Sequence, residues 1–139
     1  MPVTDAEMAA AHRQAVETSI KEVAEFLQEV LGQKLTAIIA NVDDPKTVGR
    51  WARGVVSPRS DAEERLRAAY QVFQLLQMRN SEGVVRAWFI GMNPSLELQA
   101  PAKALSEARF IEVMSAARAF AESVGTNALP EGQPLAALG

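Results

Sequence analysis

Apolar side chains recur at intervals of three and four residues along most of the chain, which is the spacing of one face of an α-helix. Thr4-Asp-Ala-Glu7 has the form of a capping box, a pattern that typically begins a helix. The first apolar stripe follows it and consists of Val16, Ile20, Val23, Leu27 and Val30. This pattern predicts one long helix within residues 1–30. Because the stripe is long for one side of a small domain, we expect it to pair with a second copy of the chain in a homodimer.

Two short helices are predicted next, over residues 35–42 and 45–53. The apolar positions of the first are Leu35, Ile38, Ile39 and Val42. Asp44-Pro45 is expected to begin the second, because aspartate is a favoured N-cap and proline suits the first helical position. Gly54 is expected to end it, since glycine readily adopts the left-handed conformation common after a helix.

The remaining pattern predicts helices separated by turns. Ser60-Asp-Ala-Glu63 repeats the capping-box form and opens a long helix that Arg79-Asn80-Ser81 breaks. The inward residues of that helix are predicted to be Leu66, Tyr70, Phe73 and Leu76. Another helix is predicted through Val84, Val85, Trp88 and Phe89. After a turn at 91–94, Pro101 begins a further helical stretch. The last helix carries Phe110, Val113, Met114, Ala117 and Phe120.

Composition supports a packed helical protein. Of the 139 residues, 48% are hydrophobic, which is ample for a core. No run alternates over the length of a strand, so the predicted fold class is all-α. The expected organisation is an N-terminal helix (1–30), a helix-turn-helix region (31–79), a small helical domain (80–124) and a flexible tail (125–139) rich in Gly, Pro and small residues.

Several classes of protein are disfavoured by what the sequence lacks. It has no cysteine, which excludes disulfides and thiolate metal sites, and His12 is its one histidine. No nucleophile stands beside a histidine, and there is no Gly-rich phosphate loop. We therefore expect no catalytic residue, no metal site, no cofactor and no enzymatic activity. With no signal peptide and no apolar run of about 18 residues, the expected location is cytoplasmic, away from the membrane.

Charge is distributed unevenly along this acidic chain, whose formal net charge is −3. Residues 1–30 carry six acids against two basic residues, whereas residues 31–70 carry seven Lys or Arg against five acids. The basic excess lies around DDPKTVGRWARGVVSPR, residues 43–59, which has no acid between 46 and 59. Such a local basic excess is typical of a surface that binds a polyanion.

The helices at 35–42 and 45–53 have the dimensions of a helix-turn-helix. The apolar face of the second helix, formed by Val48, Trp51 and Ala52, is expected to pack on Leu35, Ile38 and Ile39. Lys46, Thr47 and Arg50 then face outward near its start, where such a helix meets base edges in the major groove. Arg53 and Arg59 come later and are expected to contact phosphates.

An ordinary solvated basic face is the alternative interpretation of this segment. Asp43 and Asp44 favour it, because two acids near the start of a helix would repel phosphate. Gly49 lies in the middle of the predicted helix, where glycine costs roughly 1 kcal/mol relative to alanine. A glycine there could equally permit a close backbone approach. The sequence leaves both interpretations open.

A resemblance to a known family rests on several stretches together. The basic segment is similar to the helix-turn-helix of Xre-type regulators, with Val48, Arg50-Trp51 and Gly54 at matching positions. RLRAAYQVFQLL, AWFIGMNPSLELQAPAKAL and RFIEVMSAARAFAE follow in the same order as in the Xre/MbcA/ParS-type antitoxins. The motif elements are Trp88, Asn93-Pro94, Leu96, Pro101, Leu105 and Val113. The resemblance covers roughly residues 31–122.

This resemblance implies a function for the second half of the chain. Antitoxins of this type bind a RES-domain toxin, an enzyme that consumes NAD, and block its active site. It implies toxin-binding residues at Trp88, Phe89, Met92, Asn93, Pro94, Leu96 and Pro101, with the helix-turn-helix binding operator DNA. A homodimer within a larger toxin–antitoxin assembly is the expected state.

Two alternatives to this interpretation remain. The apolar residues from Trp88 to Leu98 are also explained if they are simply core, and Asn93-Pro94 if it is only a turn. The whole chain is also explained as a DNA-binding transcriptional regulator without a toxin partner. For the tail, ordering of Leu129, Leu135 and Leu138 on a partner and disorder without a role are both open.

Overall fold

The structure, a computed structural model, describes residues 1–123. Over this range the chain is helical and contains no strand, which confirms the all-α class. The helices are α1 (Asp5–Glu17), α2 (Ile20–Leu31), α3 (Gln33–Ala40), α4 (Lys46–Ala52), α5 (Ser60–Gln77), α6 (Glu82–Ile90), α7 (Pro101–Ser106) and α8 (Phe110–Ser123), with a 3-10 turn at Pro94–Leu96. None of these helices combines the length and apolar character needed to cross a membrane. The predicted tail at 125–139 lies outside the described residues.

The prediction of one long N-terminal helix is wrong, because the chain breaks between α1 and α2. Thr18 is extended, and the Ser19 hydroxyl accepts a hydrogen bond from the Glu22 amide at 3.2 Å, which starts a new helix. The predicted stripe is divided by this break. Val16 is 62% exposed on α1, whereas Val23, Leu27 and Val30 are buried by the chain itself. The stripe therefore provides no exposed face for a second copy of the chain, and it no longer supports the predicted homodimer.

The two predicted capping boxes have different outcomes. At the start of α1 the Glu7 amide donates to the Thr4 hydroxyl at 3.1 Å, and the Thr4 amide donates to the Glu7 carboxylate at 2.9 Å. This box is confirmed. At the start of α5, Arg59 occupies the N-cap position and no side chain caps it. Ser60 is already helical there, so the second box is wrong although the helix itself is confirmed.

Helix α5 occupies the centre of the molecule and packs against α1, α2, α3, α6, α7 and α8. Its predicted inward residues are buried, namely Leu66, Tyr70, Phe73 and Leu76. Phe26 of α2 meets both Tyr70 and Phe73 edge-on, with ring centroids 5.2 Å apart in each pair. One core runs from Val3 to Ala121. The two predicted halves thus share α5, and a fragment beginning at residue 60 would lose much of that core.

Arginines of α5 and the turn after it hold α1 in place. Arg67 donates to the carbonyl oxygens of Ala15 and Thr18, at 2.6 and 2.8 Å, where α1 ends. Arg79 Nη2 lies 2.7 Å from Glu7 Oε1. The hydrogen bond from Arg79, together with that from the Thr4 amide, lowers the pKa of the Glu7 carboxyl to about 2. These bonds join segments that are far apart in the sequence.

Candidate functional site

The predicted helix-turn-helix corresponds to α3, a short turn and α4. The turn begins with Asn41, which adopts the left-handed conformation with φ 62°. Its amide donates to the Ile38 carbonyl, and the Val42 amide donates to the Ala37 carbonyl at 3.0 Å. Asparagine tolerates this conformation better than most residues, so the chain turns without a glycine. The predicted end of α4 is confirmed, because Gly54 has φ +73° and its amide donates to Trp51.

The apolar face of α4 is buried as predicted. Val48, Trp51 and Ala52 are each less than 5% exposed, and they pack against α2 as well as α3. Ile39 contributes to the same core. The prediction that Ile38 also packs there is wrong, because Ile38 is 50% exposed and points to the groove between α3 and α6.

Gly49 has a packing reason for its place inside α4. A Cβ at this position would lie 2.8 Å from Gln33 Nε2 and 3.3 Å from Arg53 Nη1. The Gln33 amide donates to the Gln28 side-chain oxygen at 2.8 Å, so these two side chains lie across the surface of α4. The glycine therefore permits the close approach of side chains from α2 and α3. An alanine would displace the Gln33 amide.

The five residues predicted to bind DNA lie on the exposed side of this motif, in two groups. Thr47, Arg50 and Arg59 line one cavity of about 440 Å³ between α4 and the start of α5. Arg50 Nη2 donates to the Thr47 hydroxyl at 3.2 Å inside it. Lys46 is exposed at the start of α4, and Arg53 is exposed at its end, beside Gly49.

The acids that precede α4 have specific contacts. Asp44 accepts a hydrogen bond from the Lys46 amide at 3.0 Å, but α4 begins at Lys46 with Pro45 at its N-cap, so the predicted N-cap at Asp44 and first helical position at Pro45 are wrong. The other carboxylate oxygen of Asp44 lies 3.9 Å from Arg50 Nη2. One negative charge thus stands against the central cation of the motif. Lys46, Arg53 and Arg59 have no ion pair among the described residues.

Four of the seven residues predicted to bind a toxin belong to the core. Phe89 and Leu96 are fully buried, and Pro101 is buried at the start of α7. Trp88 is 9% exposed and meets Phe89 edge-on at 5.4 Å, while Phe89 stacks on Phe73. In the free protein these four side chains are buried and support the surface above them, and their contact with a toxin stays a prediction.

The other three predicted residues, Met92, Asn93 and Pro94, lie at the surface. Met92 is 78% exposed, and Asn93 accepts a hydrogen bond from the Ser95 amide at 2.9 Å, which shapes the 3-10 turn. A cavity of about 340 Å³ lies beside them, lined by Val84, Ala87, Trp88, Gly91, Met92, Asn93 and Phe120. We name these residues the α6 surface.

Val84 was not predicted to lie at this surface, yet it is 43% exposed. Neighbouring residues of a helix point about 100° apart, and in α6 Val85 faces the core while Val84 lies outside it. The uniformly apolar sequence of α6 hides which of the two is outside. Ile90, 57% exposed on the same helix, was missed for the same reason.

The loop that follows the 3-10 turn is fixed by Arg109. Its guanidinium donates to Glu97 at 2.9 Å and to Gln99 at 2.7 Å, and it also pairs with Glu112 at 2.6 Å. The hydrogen bonds to Glu112 and Glu97 raise the pKa of Arg109, and the bond from Arg109 lowers the pKa of Glu112. Glu97 and Leu98 adopt the left-handed conformation in this loop. The ion pairs therefore hold the entrance to α7 in a defined shape.

Comparisons of the chain with protein-family models, with curated proteins and with solved structures found no match. Within residues 1–123, no group of three or more His, Asp or Glu side chains is arranged to hold a metal ion.

Proposed function

We propose that this chain is the antitoxin of a type II toxin–antitoxin system, which binds a RES-domain toxin and prevents its consumption of NAD. The observation that carries the proposal is the α6 surface. In the motif shared with Xre/MbcA/ParS-type antitoxins, Trp88 forms the base of this surface while Met92 and Asn93-Pro94 lie at its edge. Exposed apolar side chains next to a cavity are what a protein partner needs as anchors.

The helix-turn-helix supplies the second part of the proposal, repression of the chain's own operon. Four cations, Lys46, Arg50, Arg53 and Arg59, project from α4 and the segment after it in a chain whose net charge is negative. The outward position of Lys46, Thr47 and Arg50 at the start of α4 suits contact with base edges. A homodimer matched to two operator half-sites remains part of the prediction.

Co-expression with a RES-domain toxin encoded next to this chain tests the proposal. The tagged full-length chain should retain the toxin through size-exclusion chromatography, and the cells should keep their NAD. The double variant V84E/M92E changes two exposed positions of the α6 surface and should lose the toxin. I111E introduces the same charge at a side chain that is 86% exposed on α8, and it should retain the toxin.

A DNA-binding regulator without a toxin partner is the second candidate, and the cations of α4 that lack ion pairs favour it. It predicts that the chain binds the DNA upstream of its own gene and retains no toxin in the same experiment. The antitoxin proposal fails if the toxin neither co-elutes with the folded chain nor loses activity.

A further inference from the structure

A second exposed apolar groove lies between the start of α3 and the end of α6. Its cavity of about 600 Å³ has apolar walls formed by Leu35, Ile38 and Ile90. Ile38 and Ile90 are 50% and 57% exposed. Its charged lining residues are Lys34 and Arg86, and no acid lines it. We name this the α3–α6 groove.

Neither Lys34 nor Arg86 has an ion pair among the described residues. Within residues 1–123, seven Lys and Arg side chains pair with acids, namely Lys21, Arg50, Arg67, Arg79, Lys103, Arg109 and Arg118. Arg65 donates instead to the carbonyl oxygens of Asp61 and Ser106. Apart from Lys46, Arg53 and Arg59 in and after α4, the cations left without such partners among the described residues are therefore Arg13 and the two of this groove.

The residues that line the groove indicate which chemical groups a ligand of this groove would carry. Covering Leu35, Ile38 and Ile90 with apolar side chains of a ligand removes apolar surface from water, which favours binding. Lys34 and Arg86 favour carboxylates beside those apolar side chains. We propose that the α3–α6 groove binds an amphipathic segment of a partner protein, with apolar residues at helical spacing and acids flanking them. An apolar helix face in a hydrophobic groove is a recurring mode of peptide recognition.

This binding site is separate from the α6 surface. Val84, Ala87 and Gly91 line the cavity of the α6 surface, whereas Arg86 and Ile90 line the α3–α6 groove. The two sites thus lie on different sides of one short helix. The inference does not rest on the toxin, and it is tested without one.

Charge argues against a second copy of this chain as the occupant. A two-fold contact through the groove would place Lys34 and Arg86 of one copy near the same cations of the other. Like charges brought together in an interface cost free energy. A partner with acids beside its apolar face removes that cost.

Titration of designed peptides into the full-length chain tests the inference. The probe is a fluorescein-labelled 16-residue helical peptide with leucines at positions i, i+3, i+4 and i+7 and glutamates beside them. Fluorescence anisotropy should give a Kd of about 10–100 µM. A peptide with lysine for each glutamate, and one with serine for each leucine, should each bind at least about tenfold more weakly.

Matched variants locate the site on the protein. R86E and I90S should each weaken binding of the acidic peptide at least about tenfold. R13E reverses another exposed cation without an ion pair, and I111S removes another exposed isoleucine. Both controls should bind like the wild type, and circular dichroism checks that every variant is folded.

Other outcomes overturn the inference. Equal affinity for the acidic and basic peptides, no binding of the acidic peptide, or equal loss in R13E or I111S would each contradict it. Binding to phosphatidylserine vesicles that R86E abolishes, without binding of the peptide, would assign the groove to a membrane. A dimer in sedimentation velocity that I90S dissociates would assign it to a second copy of the chain.

Discussion

Asp44 places one carboxylate oxygen 3.9 Å from Nη2 of Arg50, within the helix-turn-helix itself. Both side chains are about half exposed, so the pair is weak in water. If α4 binds DNA as proposed, the Asp44 carboxylate competes with DNA for Arg50. The first prediction follows from this geometry.

Replacement of Asp44 by asparagine should strengthen DNA binding. The amide keeps a side-chain oxygen to cap the Lys46 amide but removes the charge that faces Arg50. We expect affinity for the upstream DNA to rise about two- to fivefold at low salt, since exposed pairs contribute about 0.2–1 kcal/mol. D43N removes a neighbouring negative charge that does not pair with Arg50, and its gain in DNA affinity should be smaller. Equal gains in anisotropy titrations would mean that the Asp44–Arg50 contact has no role.

Arg50 and Arg53 should contribute differently to DNA binding. R50A should cost about 1–3 kcal/mol of binding free energy and relax sequence preference, because Arg50 is proposed to contact base edges. R53A should weaken binding to all sequences and reduce the salt slope by about 1, as expected for a phosphate contact. If the triple variant K46A/R50A/R53A binds the upstream DNA as tightly as the wild type, the helix-turn-helix does not bind DNA.

Arg67 should be important for stability. Its guanidinium satisfies the carbonyl oxygens of Ala15 and Thr18 at the end of α1, and R67A leaves both without this donor. The free energy of unfolding should fall by about 1–3 kcal/mol. R13A removes an exposed arginine of α1 itself, and this variant should unfold in urea like the wild type. A similar fall in both variants would show that the Arg67 bonds do not stabilise α1.

The Glu7–Arg79 pair should make stability depend on pH in a defined window. The folded protein lowers the pKa of Glu7 from 4.5 to about 2, so the carboxylate contributes stability above pH 4.5. That contribution is lost as the pH falls from about 4.5 to about 2. E7Q should therefore melt below the wild type at pH 7, and the difference should narrow through this window. E17Q, at an exposed position of α1, should show no such narrowing in thermal melts followed by circular dichroism.

Local signals in the sequence predicted most of the helices. The Thr4–Glu7 capping box, Gly54 and Pro101 each mark a helix end that the structure confirms. The break at Thr18-Ser19 was missed because the apolar period continues across it. In the structure, the Ser19 cap and the burial of α2 against α4 and α5 outweigh that continuity. Helix periodicity predicts a face, but not whether one helix or two carry it.

The candidate site was predicted less completely than the fold. The cations of α4 could be placed outside because Val48 and Trp51 define the opposite, buried face. The α6 region could not be resolved in this way, since nearly every residue from Val84 to Met92 is apolar. Which of them are buried depends on α5 and α7, which pack against α6. The exposure of Val84 and Met92 therefore required the tertiary structure.

The rate of NAD consumption by the neighbouring RES-domain toxin, measured with purified proteins, tests the central claim most directly. The wild-type chain should abolish the rate near stoichiometric amounts, and I111E should do the same. V84E/M92E, folded by circular dichroism, should need at least about tenfold more protein for the same inhibition, because two charges then interrupt the apolar α6 surface. An undiminished rate with excess wild-type chain would contradict the antitoxin proposal, and equal inhibition by V84E/M92E would contradict its assignment to the α6 surface.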